Sequence, residues 1–253
     1  MSLATDSCHI IASFFRDAAC RARAAFTQGL VVEGGSMWES TGMYGTSSVR
    51  HVELATGRVL AQVDLDRSLF GEGLASFGAN LYQLTWRERQ LLVYDRATLR
   101  RLRVASVPFE GWGLTSDGFS LILSDGSDTL YFLDPDSFAV RRRVAVRAAT
   151  ASAASGGSGG SGSQAITRLN ELEYIDGAVF ANIWMEDRIA VIDPLSGHVR
   201  AFIDAGFVNP RHERPADQNA VLNGIAFEAE QRRLFITGKL WPLMYEISLP
   251  ALP

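Results

Sequence analysis

The chain has 253 residues, with 24 Lys+Arg against 28 Asp+Glu, 47% hydrophobic residues and 21% charged ones. That length is ample for one sizeable core, and the composition excludes a mostly disordered chain. A net charge of −4 excludes a general nucleic-acid binder, which needs a basic face, and no apolar run reaches the ~18–20 residues of a membrane-spanning helix.

In chain order, an apolar strand at 9–15 comes before five similar segments. These are Phe26-Thr27-Gln28-Gly29-Leu30, Phe70-Gly71-Glu72-Gly73-Leu74, Glu110-Gly111-Trp112-Gly113-Leu114, Arg168-Leu169-Asn170-Glu171-Leu172 and Val221-Leu222-Asn223-Gly224-Ile225. Each ends in Leu or Ile, and their third positions lie 44, 40, 58 and 53 residues apart. The third gap holds a Gly/Ser/Ala-rich stretch at 148–164. Subtracting roughly 15 residues of low complexity brings that gap close to the first two. A second apolar strand follows each segment, at 37–41, 81–86, 121–124, 179–184 and 234–239. Third strands at 91–95, 130–134 and 189–193 run into Asp turns, and fourth strands follow at 59–65, 99–107, 139–146 and 199–203. No segment has a helical period.

Four strands per ~40–45 residues, repeated radially, predict an all-β fold, a five-bladed β-propeller of four-stranded antiparallel blades. The fifth unit, 223–248, supplies three strands, so the N-terminal strand at 9–15 is expected to complete that blade and close the ring. Residues 9–253 are expected to form this single propeller, with 148–164 a flexible insert between blades three and four. The polar loop 209–219 is expected to overhang one mouth.

Radial repetition has a chemical consequence. Equivalent residues converge on the axis at one height, so Gln28, Glu72, Trp112, Asn170 and Asn223 gather from five distant places. One carboxyl, three amides and an indole stand where an ordinary core layer has Val, Ile or Ala, which marks a candidate site. Fourteen residues further on lie Gly42, Trp86, Gly126 and Trp184; in the last unit Lys239, the single lysine, falls there if two residues are inserted. Burial against indoles raises a carboxyl pKa, which would let Glu72 exchange protons near neutrality. Taken singly, each residue has a blander role, because a Glu in a Gly-x-Gly turn is usually solvated, tryptophans pack and asparagines cap turns. Glu171, Glu173, Glu186 and Asp187 read as solvated charges, and Trp38 and Trp241 as structural. Cys8, Cys20 and four scattered histidines (His9, His51, His198, His212) lack any zinc-ligand spacing, so no metal site is expected.

The segments at 26–30, 70–74, 110–114 and 169–173, with Leu-Thr-Trp (84–86), Ala-Asn-Ile-Trp (181–184) and Gly-Lys-Leu-Trp-Pro (238–242), resemble the plant and bacterial glutaminyl-peptide cyclotransferases. The resemblance runs in order over roughly 26–248. It implies a five-bladed propeller that converts the N-terminal glutamine of peptides or proteins to 5-oxoproline with release of ammonia, using neither metal nor organic cofactor. Glu72 would be the general acid/base, and Gln28, Asn170 and Lys239 would donate hydrogen bonds to the reacting amide. Phe26, Phe70, Trp86, Trp112 and Trp184 would wall the pocket, with Asn223 of the ring beside the substrate. The implied partners are peptides, not nucleic acid or membrane, and a closed ring is expected to be monomeric. Export to the periplasm or outside the cell is also implied, although Met1–Asp6 shows no secretory signal pattern. Two rivals stay open. One is a non-catalytic propeller that binds peptides or scaffolds partners, with Glu72 and Lys239 a structural couple. The other is a metal-dependent lactonase propeller, which needs several carboxylates where this ring has one.

Overall fold

Short runs of Val, Ile, Leu and aromatic residues, bounded by Gly and Asp turns, favour strands over helices, and one such strand buries its apolar faces only by pairing and stacking. The computed structural model describes residues 9–15, 25–150 and 162–248, and these runs form four-stranded antiparallel sheets within it. Blade one comprises β2 (Thr27–Glu33), β3 (Ser36–Thr41), β4 (Ser48–Glu53) and β5 (Val59–Asp64). Blade two comprises β6 (Gly71–Phe77), β7 (Asn80–Thr85), β8 (Gln90–Asp95) and β9 (Arg101–Ser106). Blade three comprises β10 (Leu114–Ser116), β11 (Leu121–Ser124), β12 (Thr129–Leu133) and β13 (Val140–Ala145). Blade four comprises β16 (Leu169–Ile175), β17 (Ala178–Ile183), β18 (Arg188–Ile192) and β19 (Val199–Asp204). Blade five is built from β20 (Leu222–Glu228), β21 (Arg233–Gly238), β22 (Leu243–Ser248) and β1 (His9–Phe15). β1 pairs antiparallel with β22 from His9↔Ser248 to Phe15↔Leu243, so the N-terminal strand closes the last blade as expected.

The core is five apolar layers, one between each pair of neighbouring blades. Val49 packs with Leu74 and Leu81, and Leu84 with Leu114 and Leu121. Ile122 packs with Leu172 and Val179, and Phe180 with Leu222 and Ile225. The fifth layer, Leu30 and Val32 against Ala226 and Phe235, joins the last blade to the first and completes the ring. Buried apolar area at about 25 cal/mol per Å² makes these layers the main stabilising contribution.

Hairpin length explains the odd spacing of the last unit. The first two strands of blades one, two and four turn within two residues, with end pairs Glu33↔Ser36, Phe77↔Asn80 and Ile175↔Ala178. In blade five the end pair is Glu228↔Arg233, so the two extra residues lie in the 229–232 turn. The ends of the Gly/Ser-rich insert are paired strands: β14 (Arg147–Ala149) runs antiparallel to β15 (Ser163–Ala165). The rest of the insert at 151–161 and both cysteines lie outside the described residues.

Candidate active site

The ring positions fall where the inner strands break their pairing. Register slips between Thr27 and Gly29, Gly71 and Leu74, Leu169 and Leu172, and Leu222 and Ile225. Such bulges re-aim side chains, which takes the ring residue out of simple strand alternation. The glycine that follows is needed because inner strands touch there. A Cβ on Gly29 would sit 2.2 Å from the Leu74 nitrogen, and one on Gly113 would sit 1.9 Å from the Asn170 carbonyl oxygen.

Blade four has Glu171 in the glycine slot, and the structure corrects its reading as a solvated charge. Glu171 is fully buried and accepts hydrogen bonds from the backbone N–H groups of Leu30 (3.3 Å) and Ile225 (2.8 Å), tying blade four to blades one and five. Burial, with Glu173 nearby, pushes its pKa well above the ordinary range against those two donors. Glu173 is also drawn inward. It accepts from the Phe227 N–H at 2.8 Å and the Thr115 hydroxyl at 3.2 Å, and burial pushes its pKa up to about 8. Glu186 and Asp187 pair with arginines: Arg168 and Arg188 for the first, Arg211 and Arg214 for the second. Trp38 stacks on His51 at 5.0 Å and Trp241 is fully buried, both in structural settings.

At one mouth the ring opens into a cavity of about 270 Å³. Its walls bring together Gln28, Glu72, Asn170, Lys239, Phe26, Phe70, Trp86, Trp112 and Trp184, with Met43 and Asn219 added. The aromatic rings meet edge-on: Phe26 and Phe70 at 6.1 Å, Phe70 and Trp86 at 5.5 Å, Trp112 and Trp184 at 5.7 Å. Lys239 Nζ lies 5.1 Å from the Phe26 ring centroid, a cation–π contact that holds the ammonium against the wall.

Glu72 and Lys239 are both buried, at 5% and 6% exposure. Burial drives the Glu72 pKa well above the carboxylate range; the Lys239 charge opposes this, and Glu88 and Glu110 add to it. Burial lowers Lys239 to about 8, against the pull of Glu72. The two sense each other electrostatically, yet among the described residues no ion pair joins them. Two further polar atoms in the wall are buried without a protein partner, Trp112 Nε1 and Asn170 Oδ1. Unpaired buried polar groups are costly, and these two, a donor and an acceptor, both belong to residues of the lining.

Asn223 is the ring residue that does not reach the wall. Gly224, at φ 127°, follows it, and the Asn223 amide turns across the seam to donate to the Thr27 carbonyl (2.9 Å) and Gln28 Oε1 (3.4 Å). It therefore orients Gln28 and leaves the Gln28 Nε2 group for the cavity. Met43 and Asn219 were not expected. Met43 follows Gly42 in the turn after β3, and Asn219 ends the 209–219 loop and is the residue of that loop in the lining. Glu72 is the single carboxylate in this lining, and among the described residues no group of three His, Cys, Asp or Glu is arranged to hold a metal ion.

A family model described as glutamine cyclotransferase matches residues 16–249. The chain is 40% identical over 236 residues to a glutaminyl-peptide cyclotransferase of Arabidopsis thaliana, covering 89% of this chain and 67% of that protein. The solved glutaminyl cyclase of Myxococcus xanthus superposes with a TM-score of 0.84 at 36% identity, covering 98% of both chains. The WD40 β-propeller domain of Doa1, at 8% identity and a TM-score of 0.51 over 87% of this chain and 63% of that one, shares the fold alone. A whole-chain sequence match and a full-length structural match thus meet on the propeller whose axis carries this cavity, and the chain belongs to the glutamine cyclotransferase family, which cyclises glutamine to pyroglutamate.

Proposed function

We propose that this cavity holds the N-terminal glutamine of a peptide or protein and cyclises it without a metal, with Glu72 as the general acid/base. The observation that carries the reading is one buried carboxyl of raised pKa set with the only lysine inside an aromatic-walled cavity. The substrate's α-amine attacks its own side-chain amide carbon, forming the C–N bond of the five-membered ring. The C–N bond to the amide nitrogen then breaks and ammonia leaves. Nucleophile and electrophile share one molecule, so holding the side chain folded back supplies much of the acceleration, as effective molarities of about 10⁵–10⁸ M indicate.

Proton traffic is what remains. A peptide α-amine has a pKa of about 7.7–8.0, and burial raises the Glu72 carboxyl above the ordinary carboxylate range, so Glu72 takes that proton at a smaller uphill cost than a solvated carboxylate would. The same proton then passes to the departing NH₂ group, the second proton lost by the ring nitrogen leaves with the ammonia as ammonium, and Glu72 ends as it began. The carbonyl oxygen gains negative charge at the tetrahedral stage. Lys239, Gln28 Nε2 and the unpaired Trp112 Nε1 are the donors available to it, while Asn170 is placed to accept from the amine or amide N–H. A donor set of one carboxylate, two amides and an ammonium suits a neutral amide far better than a divalent cation, which prefers several carboxylate or imidazole ligands.

The test is mass spectrometry of a short Gln-initiated peptide incubated with the protein, with and without chelator. Loss of one ammonia from the first residue at the same rate in both samples is expected. Abolition by chelator would return the metal-dependent reading, and no loss over several peptides would leave a binding scaffold.

A further inference from the structure

The cavity encloses one residue, but a peptide substrate has more, and its chain must leave through the mouth. Among the lining residues only Met43 and Asn219 are exposed, so they frame that exit. Asn219 is polar and its amide donates to Asp217 Oδ1 at 3.2 Å. Met43 presents a different surface. It is 48% exposed, belongs to none of the five apolar layers, and adjoins Tyr44, which is 49% exposed.

This pair is built to stay in place. Met43 sits at φ 94°, a conformation that a side-chain-bearing residue holds only under constraint. Its carbonyl accepts from the Ser47 hydroxyl (2.8 Å) and the Thr46 N–H (3.1 Å), and the Ser47 oxygen accepts in turn from the Gly71 N–H at 3.0 Å on the neighbouring inner strand. Tyr44 donates its hydroxyl to Glu88 Oε1 at 2.8 Å and sets its ring edge-on to Phe70 at 5.3 Å. The second Glu88 oxygen accepts from the Phe70 N–H at 3.3 Å, and Arg87 lies over Trp86 at 4.0 Å. Glu88 and Arg87 are thereby engaged, the Arg67 guanidinium lies on the Gly45 side of the turn, and Met43 and Tyr44 present thioether and ring carbon.

We infer that Met43 and Tyr44 form a subsite for the side chain of the substrate's second residue, and that it selects apolar and aromatic side chains. The inference rests on the reading that an N-terminal glutamine fills the cavity. Methionine adapts to different shapes, so the shelf accepts a class of side chains and not one residue type. Apolar area covered on one face predicts about a tenfold gain for Phe over Gly at the second position.

The test compares kcat/KM for two matched peptides, Gln-Phe-Ala-amide and Gln-Gly-Ala-amide, and reads their ratio within each protein so that any general loss of activity cancels. The wild-type ratio is expected near ten, falling to within about twofold of unity in Tyr44→Ala and in Met43→Gly. Glycine suits φ 94°, so Met43→Gly folds without strain even where another variant fails. Tyr44→Phe keeps the ring and is expected to keep the ratio. A wild-type ratio near one, or a ratio unchanged in both Tyr44→Ala and Met43→Gly, overturns the subsite while leaving the cyclisation standing. Turnover of neither peptide by the wild type overturns both.

Discussion

Glu72→Gln changes the cavity by one atom and removes its only carboxylate. The volume, the aromatic walls and the Lys239 contact with Phe26 stay, so the glutamine side chain still has its place and KM should change little. Losing a positioned general acid/base costs about 10²–10⁴ in kcat, or about 2.7–5.4 kcal/mol of barrier. No second carboxyl lines the cavity, and the proposed mechanism gives both proton transfers to Glu72, so the loss is expected in the upper half of that range, about 10³–10⁴. A second effect reinforces it. The Glu72 charge holds the Lys239 pKa up, so in Glu72→Gln that pKa drops below about 8 and the ammonium is less populated at neutral pH. Ammonia release gives kcat and KM, and the emission of the wall tryptophans reports that the pocket is intact. A folded Glu72→Gln protein that keeps kcat within about fivefold of wild type would refute the acid/base reasoning, whatever else remained true of the cavity.

The remaining expectations concern Lys239, Asn223 and the buried carboxylates of blade four. If charged Lys239 is the working form, kcat/KM declines as pH rises through about 8; Lys239→Met removes that limb and, by deleting the charge that lowers the Glu72 pKa, moves the acidic limb to higher pH in a pH–rate profile. Asn223→Ala frees Gln28 and should lower kcat about tenfold, one hydrogen bond's worth, with KM little changed; Asn223→Asp fails too, since a carboxylate cannot donate to Gln28 Oε1. Glu171→Gln offers one acceptor where two backbone N–H groups point, and the stranded donor should cost about 1–3 kcal/mol in denaturant unfolding. Glu173→Gln keeps an acceptor for the Phe227 N–H and should be tolerated. Its folded pKa near 8 exceeds the unfolded value of about 4.3, so the contribution of Glu173 is present below that lower value and is lost as pH rises through about 8; urea midpoints across that window should flatten in Glu173→Gln.

The fold was legible because each blade repeats the same problem. A segment ending in Gly-Leu, a second strand and an Asp turn recur, so comparing units tells more than any single propensity, and the orphan strand at 9–15 had one place to go. The ring was legible for the same reason, down to the two extra residues before Lys239, which lie in the 229–232 turn. What repetition does not encode was missed. Met43 lies in the 42–47 turn, which is longer than the matching turns at 86–89, 125–128, 184–187 and 239–242, and Asn219 ends the long 209–219 loop before β20. Asn223 was placed at the right height, but its orientation depends on Gly224 at φ 127°, which no spacing reveals. Glu171 was misread although a signal existed. It stands in line with Gly29, Gly73, Gly113 and Gly224, and a residue in that slot lies where inner strands touch, so it had to be buried and bonded.

These differences divide the molecule's work between its sheets and its turns. Gln28, Glu72 and Asn170 project from inner strands whose neighbours they cannot leave, held by bulges, close glycine contacts and, in blade four, by Glu171 bridging to blades one and five. Groups fixed to sheet hold their geometry better than groups on loops, and a reaction within one substrate molecule asks mainly for fixed geometry. The mouth is assembled differently, from the turn bearing Met43 and Tyr44 and the loop ending at Asn219, segments that can change without disturbing the five apolar layers. Chemistry and substrate preference are therefore separable in this propeller. Alterations at the mouth should redistribute rates among peptides that share an N-terminal glutamine, whereas alterations in the ring should lower them all together.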